Sequence, residues 1–183
     1  KNKKEPFFIF INPHLGYYAI KQAFRHNLFN VYDFISGVAR IWDAETSQAL
    51  SIPLRHFGGV NLVQFSPDKR YLYSTSADKT ARIWDVRTGE QIGPSLGHED
   101  GVRLAEVGGD GSTLVTLTSD LLRVWDVPDG RLRFPPLAHG VGRGQGLSMA
   151  VSSGGGRVVV GGSDGQVKVC DLREGRWIWT RRL

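Results

Sequence analysis

Histidine, hydroxyl and carboxylate side chains recur in this chain at intervals that could build a proton relay. His56, Ser74 and Asp78 are followed by His98, Thr116 and Asp120, and then by His139 and Asp164. A hydroxyl held against an imidazole that is itself oriented by a carboxylate can attack an acyl carbon. A hydrolase needs one such set, however, and here the set repeats: the three histidines are 42 and 41 residues apart. The same separation of single histidines matches no paired-ligand spacing of zinc sites, and successive repeat units would hold the rings apart. Phosphate loops fail as well. Gly140, Gly142, Gly144 and Gly146 alternate, and Gln145 stands where a G-x-G-x-x-G loop needs its third glycine. Repetition therefore points to a structural hydrogen-bond network; no enzyme, cofactor or metal site is expected.

The elements that must position these residues repeat with the same beat. Trp42-Asp43, Trp84-Asp85 and Trp125-Asp126 are 42 and 41 residues apart, and Cys170-Asp171 follows after 45. Self-similarity at this period is the signature of a repeat architecture. In the clearest copy, period-two apolar patterning predicts strands over Val60 to Phe65, Tyr71 to Ser76 and Ala81 to Val86, with a fourth around Gln91-Ile92. Ser66-Pro67-Asp68-Lys69, Asp78-Lys79 and Thr88-Gly89 supply the turns. Four short antiparallel strands in forty-odd residues make an all-β propeller blade.

The segment "SPDKRYLYSTSADKTARIWDVRTG", with Gly97-His98 opening the next unit, resembles a repeat of the WD-repeat β-propeller family. The resemblance covers residues 36–183, in units of about 36–55 (partial), 56–97, 98–138 and 139–183. It implies a buried network in each blade, made of His56, Ser74, Asp78 and Trp84 in the second unit. In the third it implies His98, Thr116, Asp120 and Trp125, with a turn one residue shorter. The fourth keeps His139 and Asp164 but has Val160 and Cys170 where the hydroxyl and the tryptophan belong, so Cys170 reads as a small core residue and not as a reactive thiol.

The resemblance also places the loops that enter each blade on the face where such proteins usually hold ligands. Phe57, Glu99, Arg143 and Gln145 are the partner-binding candidates, the last two in a loop three residues longer than its counterparts. The implied function is a non-catalytic scaffold for a protein or peptide partner. The competing reading is a regulatory or sensor segment of a larger multidomain enzyme, such as a bacterial protein kinase.

Composition divides the chain near residue 36. Residues 1–35 hold six of nine Phe and four of five Asn, whereas 22 of 23 Gly and 15 of 16 Arg follow. The leader carries a net charge of +3 and the remaining 148 residues only +2, with no basic stripe, so nucleic acid is not an expected partner. The run Phe7 to Ile11 is shorter than the about 7–15 apolar residues of a secretory signal, and no membrane association is expected. A single cysteine suits a reducing compartment, and the expected location is cytoplasmic. About three and a half blades fall short of the about four to eight that close a propeller. An incomplete ring follows, with self-association, missing chain or strands from the leader as ways to complete it.

Overall fold

The computed structural model describes residues 18–23, 28–33, 37–43, 48–49, 51–142 and 146–183. Among them there is no α-helix, and the strands form four antiparallel sheets in chain order. Blade 1 contains β1 (Tyr18–Ala23), β2 (Leu28–Asp33), β3 (Val38–Asp43) and β4 (Leu54–Arg55). Blade 2 contains β5 (Val60–Phe65), β6 (Tyr71–Ser76), β7 (Thr80–Asp85) and β8 (Gln91–Gly97), close to the strands that the sequence predicts.

In blade 3, β9 (Leu104–Val107), β10 (Thr113–Leu117) and β11 (Leu121–Asp126) are followed by a divided outer strand. Its pieces, β12 (Arg131–Leu132) and β13 (Leu137–Ala138), both pair with β11. Pro135 and Pro136 lie between them, and proline has no N–H to give a ladder. Blade 4 contains β14 (Ser148–Val151), β15 (Arg157–Gly161), β16 (Gln166–Asp171) and β17 (Arg176–Arg182).

The first unit differs from the partial blade expected at 36–55. Two of its four strands come from within the compositionally distinct leader, where β2 pairs with β3 in the register Phe29↔Trp42 and Asn30↔Ile41. The alternation in "LFNVYD" is the sequence signal for β2; the earlier run "FFIFI" lies outside the described residues.

Strand side chains alternate between faces, so each blade has an apolar layer on both sides and shares one with each neighbour. Ala39 and Ile41 of blade 1 pack with Val60, Leu72 and Trp84 of blade 2. Ala81 and Ile83 of blade 2 pack with Leu114 and Trp125 of blade 3. Leu122 and Val124 of blade 3 pack with Val158, Val160 and Cys170 of blade 4. The repeating beat of the sequence is thus a beat of burial: Trp84, Trp125 and Cys170 face the preceding blade, and Ile41, Ile83 and Val124 face the next. The inner strands β5, β9 and β14 are neighbours in chain order and border a cavity of about 320 Å³ lined by Leu62, Gln64, Leu104 and Met149 among others.

Candidate functional site

Blade 2 assembles its four network residues from two strands and two loops. The Trp84 indole N–H donates to Ser74 Oγ at 2.7 Å, and Ser74 Oγ lies 2.7 Å from His56 Nε2. His56 Nδ1 lies 3.0 Å from Asp78 Oδ2. The Asp78 carboxylate can only accept, so Nδ1 carries a proton and donates to it; in the neutral ring Nε2 then accepts the hydroxyl hydrogen while Ser74 Oγ accepts from tryptophan. Burial lowers the His56 pKa below its ordinary value against the opposing pull of Asp78.

Asp78 does more than terminate the chain. It accepts the backbone N–H groups of Phe57 at 2.9 Å and Thr80 at 2.9 Å, and the Thr80 hydroxyl at 2.7 Å. Burial pushes its carboxyl up, but the bonds from Thr80, Phe57 and His56 outweigh burial and leave it below the ordinary range. The β6–β7 turn is fixed by the same residues: Ser76 Oγ accepts the Asp78 N–H and donates to the Gly58 carbonyl. The approach of the two loops requires glycine, since a Cβ on Gly58 would stand 2.9 Å from the Asp78 nitrogen.

Blade 3 keeps the inner part of this arrangement and changes its end. Trp125 donates to Thr116 Oγ1 at 2.8 Å, and Thr116 Oγ1 is 2.8 Å from His98 Nε2. His98 Nδ1 meets the Leu96 carbonyl at 2.9 Å, and no hydrogen bond joins it to Asp120, the terminal residue implied by the resemblance. The turn is one residue shorter, and Leu121 stands where blade 2 has the Thr80 hydroxyl, so the carboxylate is not carried to the imidazole. Burial, with the Arg123 guanidinium nearby, lowers the His98 pKa to about 4.

Blade 4 has no continuous network. His139 is fully buried with Nε2 3.4 Å from the Thr118 carbonyl, and its Nδ1 accepts the Val141 N–H at 3.3 Å. Burial lowers its pKa. Asp164 accepts the Gln166 N–H within its own turn at 3.0 Å, and no hydrogen bond joins it to His139. Val160 and Cys170 are both fully buried against blade 3, and burial pushes the thiol up to about 11. A reactive thiol requires the reverse, exposure and a depressed pKa.

The exposed candidates divide. Phe57 is 95% exposed, with the Arg82 guanidinium 5.5 Å from its ring centre. Glu99 is exposed but engaged by the buried Arg123, whose hydrogen bond holds its carboxyl below the ordinary range. Arg143 and Gln145 lie outside the described residues. Thr80, Arg82 and Arg123 were not singled out by sequence reasoning. A signal existed, because Arg40, Arg82, Arg123 and Lys168 each stand two residues before the repeating Trp or Cys. Among the described residues, no group of three or more His, Cys, Asp or Glu side chains is placed to hold a metal ion, and no helix is long and apolar enough to cross a membrane.

Residues 49–85, which carry most of this network, match the family described as WD domain, G-beta repeat. The chain carries a WD repeat. WD repeats in general serve as protein–protein interaction scaffolds. No curated protein matches the sequence. Among solved structures, the computationally designed Ika8 protein is similar with a TM-score of 0.74 and 23% identity, over 87% of this chain. The chain spans 47% of the length of that protein.

The two carboxylates of equivalent sequence position separate in experiment. Asp78→Asn should cost about 1–3 kcal/mol in urea unfolding, because it disturbs a buried acceptor with four partners. Asp120→Asn should stay within about 0.5 kcal/mol; equal losses would contradict the shorter-turn account.

Acidity should act through the buried imidazoles. An unfolded histidine titrates near its ordinary value of 6.5 and His98 only near 4, so in between the unfolded state holds more protons. Stability is complete above the unfolded value and falls as pH drops toward 4, by up to about 1.4 kcal/mol per pH unit for each histidine involved. Urea titrations from neutral pH downward should show this loss, reduced in His98→Gln; a flat profile would contradict it.

Proposed function

We propose that this chain is a non-catalytic scaffold that captures a protein or peptide partner on the face bearing Phe57. The observation that supports this most directly is a large aromatic ring held almost wholly in solvent on a fixed backbone. The Phe57 N–H is tied to Asp78, the following glycine lies against the β6–β7 turn, and Arg82 borders the ring. Arg82 is itself anchored by a 2.8 Å bond to the Arg55 carbonyl. An aromatic and an arginine side by side are the residue types that dominate binding energy at protein interfaces. Preorganisation by the network below lowers the entropy lost on binding. The hydroxyl that a catalytic reading would need, Ser74, is fully buried and shared between tryptophan and histidine.

Peptides selected from a random display library against the whole chain provide the test. Phe57→Ala should weaken the selected peptides by roughly tenfold, about 1.4 kcal/mol, at unchanged melting temperature. Unchanged affinity across the selected set would remove Phe57 from the binding face.

A further inference from the structure

The place one residue after the network histidine holds Phe57 in blade 2 and Glu99 in blade 3, and each lies against the arginine of its own third strand. The two arginines are held very differently. Arg82 is enclosed by three groups: Nη1 donates to the Arg55 carbonyl at 2.8 Å, Nε to Thr80 Oγ1 at 3.4 Å, and Nη2 stands 3.8 Å from the Asp78 carboxylate. Arg123 lacks their counterparts. Leu121 replaces the threonine and Asp120 makes no ion pair with the guanidinium, so among the described residues Glu99, at Nη2, is its single side-chain partner. Nη1 is buried with no partner. A guanidinium offers a planar fork of donors that one carboxylate can bridge with two bonds, and a buried donor left unpaired is costly. Here the fork is half filled. The Arg123 side chain is 3% exposed and that of Glu99 is 71% exposed, so a deeply buried cation is neutralised by a carboxylate that can turn into solvent without unpacking the core.

We propose that Arg123 anchors an acidic side chain, Asp or Glu, of an extended peptide partner, and that Glu99 holds the place until the partner's carboxylate displaces it. The stand-in identifies the occupant: the group that the fold itself sets on Arg123 is a carboxylate on a flexible stem. The anchor rests on the capture of a peptide by the face bearing Phe57, and it lies beside that ring. The loops carrying Phe57 and Glu99 abut one turn, β6–β7, where a Cβ on Gly58 would stand 2.9 Å from the Asp78 nitrogen and a Cβ on Gly101 3.5 Å from the Ala77 Cα. An aromatic contact and a buried cation on the two sides of one turn fit a peptide that carries an apolar side chain near an acidic one.

Peptides selected from a random display library against the whole chain should be rich in Asp and Glu, and changing the acidic residue to its amide should weaken them roughly tenfold. Removing the stand-in should act in the opposite direction. Glu99→Gln should tighten the acidic peptides roughly fivefold, because an internal competitor is gone, and leave their amide versions unchanged. Asp100→Asn removes the same charge one residue away, where the carboxylate is bound to Ser119 and not to Arg123, and should change affinity less than about twofold. A purely structural Glu99 would lower the melting temperature of its variant without tightening any peptide. If Glu99→Gln does not fold, the acidic and amide peptides compared on the wild type decide. A selected set with no acidic preference, no tightening by Glu99→Gln, or equal tightening of acidic and amide peptides would each overturn the anchor. Phe57→Ala on the same peptides keeps the two readings apart: a loss there with no response to Glu99→Gln removes Arg123 alone, the converse removes Phe57 alone, and an empty selection removes both.

Discussion

Blades 2 and 3 depend on a hydroxyl that has to work in two directions. Ser74 and Thr116 are each fully buried, and each accepts from a tryptophan while its hydrogen points at a histidine ring. With the acceptor at each Nδ1 and the lowered pKa of each ring, this arrangement matches a neutral imidazole protonated at Nδ1, and it ties the loop entering a blade to its second and third strands. An unpaired buried member would cost about 1–3 kcal/mol, so the network holds a blade together only when complete. What closes the far end can vary, and the Asp78 carboxylate or the Leu96 carbonyl serves. Blade 4 shows the other solution, in which the hydroxyl and the tryptophan give way together to Val160 and Cys170 and the space is filled by apolar packing.

Between blades the logic is hydrophobic and periodic. A tryptophan or its substitute faces backward and a branched or small apolar residue faces forward, so one sequence period produces one junction. Rigid loops follow from this, because the residues that pin Phe57 are the residues that close the network beneath it. Stability and the presentation of Phe57 to solvent are one structure in this chain.

Much of this was readable in the sequence. The period of the tryptophans and histidines located the blades, and the strands of blade 2 fell where alternation and turn residues placed them. The end of the second network in chain order did not, because removing one turn residue moves a carboxylate by a distance that residue types do not encode; Asp120 kept its place in the alignment and lost its imidazole. The leader strands of blade 1 entered only as one of three ways to complete the ring, for another reason. Their composition differs from that of the later units, and β pairing depends on alternation and register more than on particular residues. The Arg82 and Arg123 contacts rest on a periodic signal that was present but had no chemistry attached until the loops above them were seen.

The central claim is that His56 and His98 are neutral acceptors at Nε2. Nitrogen-15 NMR of the imidazole rings at neutral pH reads this directly. The account predicts that both rings carry their proton on Nδ1 and stay neutral at pH values where exposed histidines have become charged. A proton on Nε2, or an imidazolium on either ring under those conditions, would contradict it.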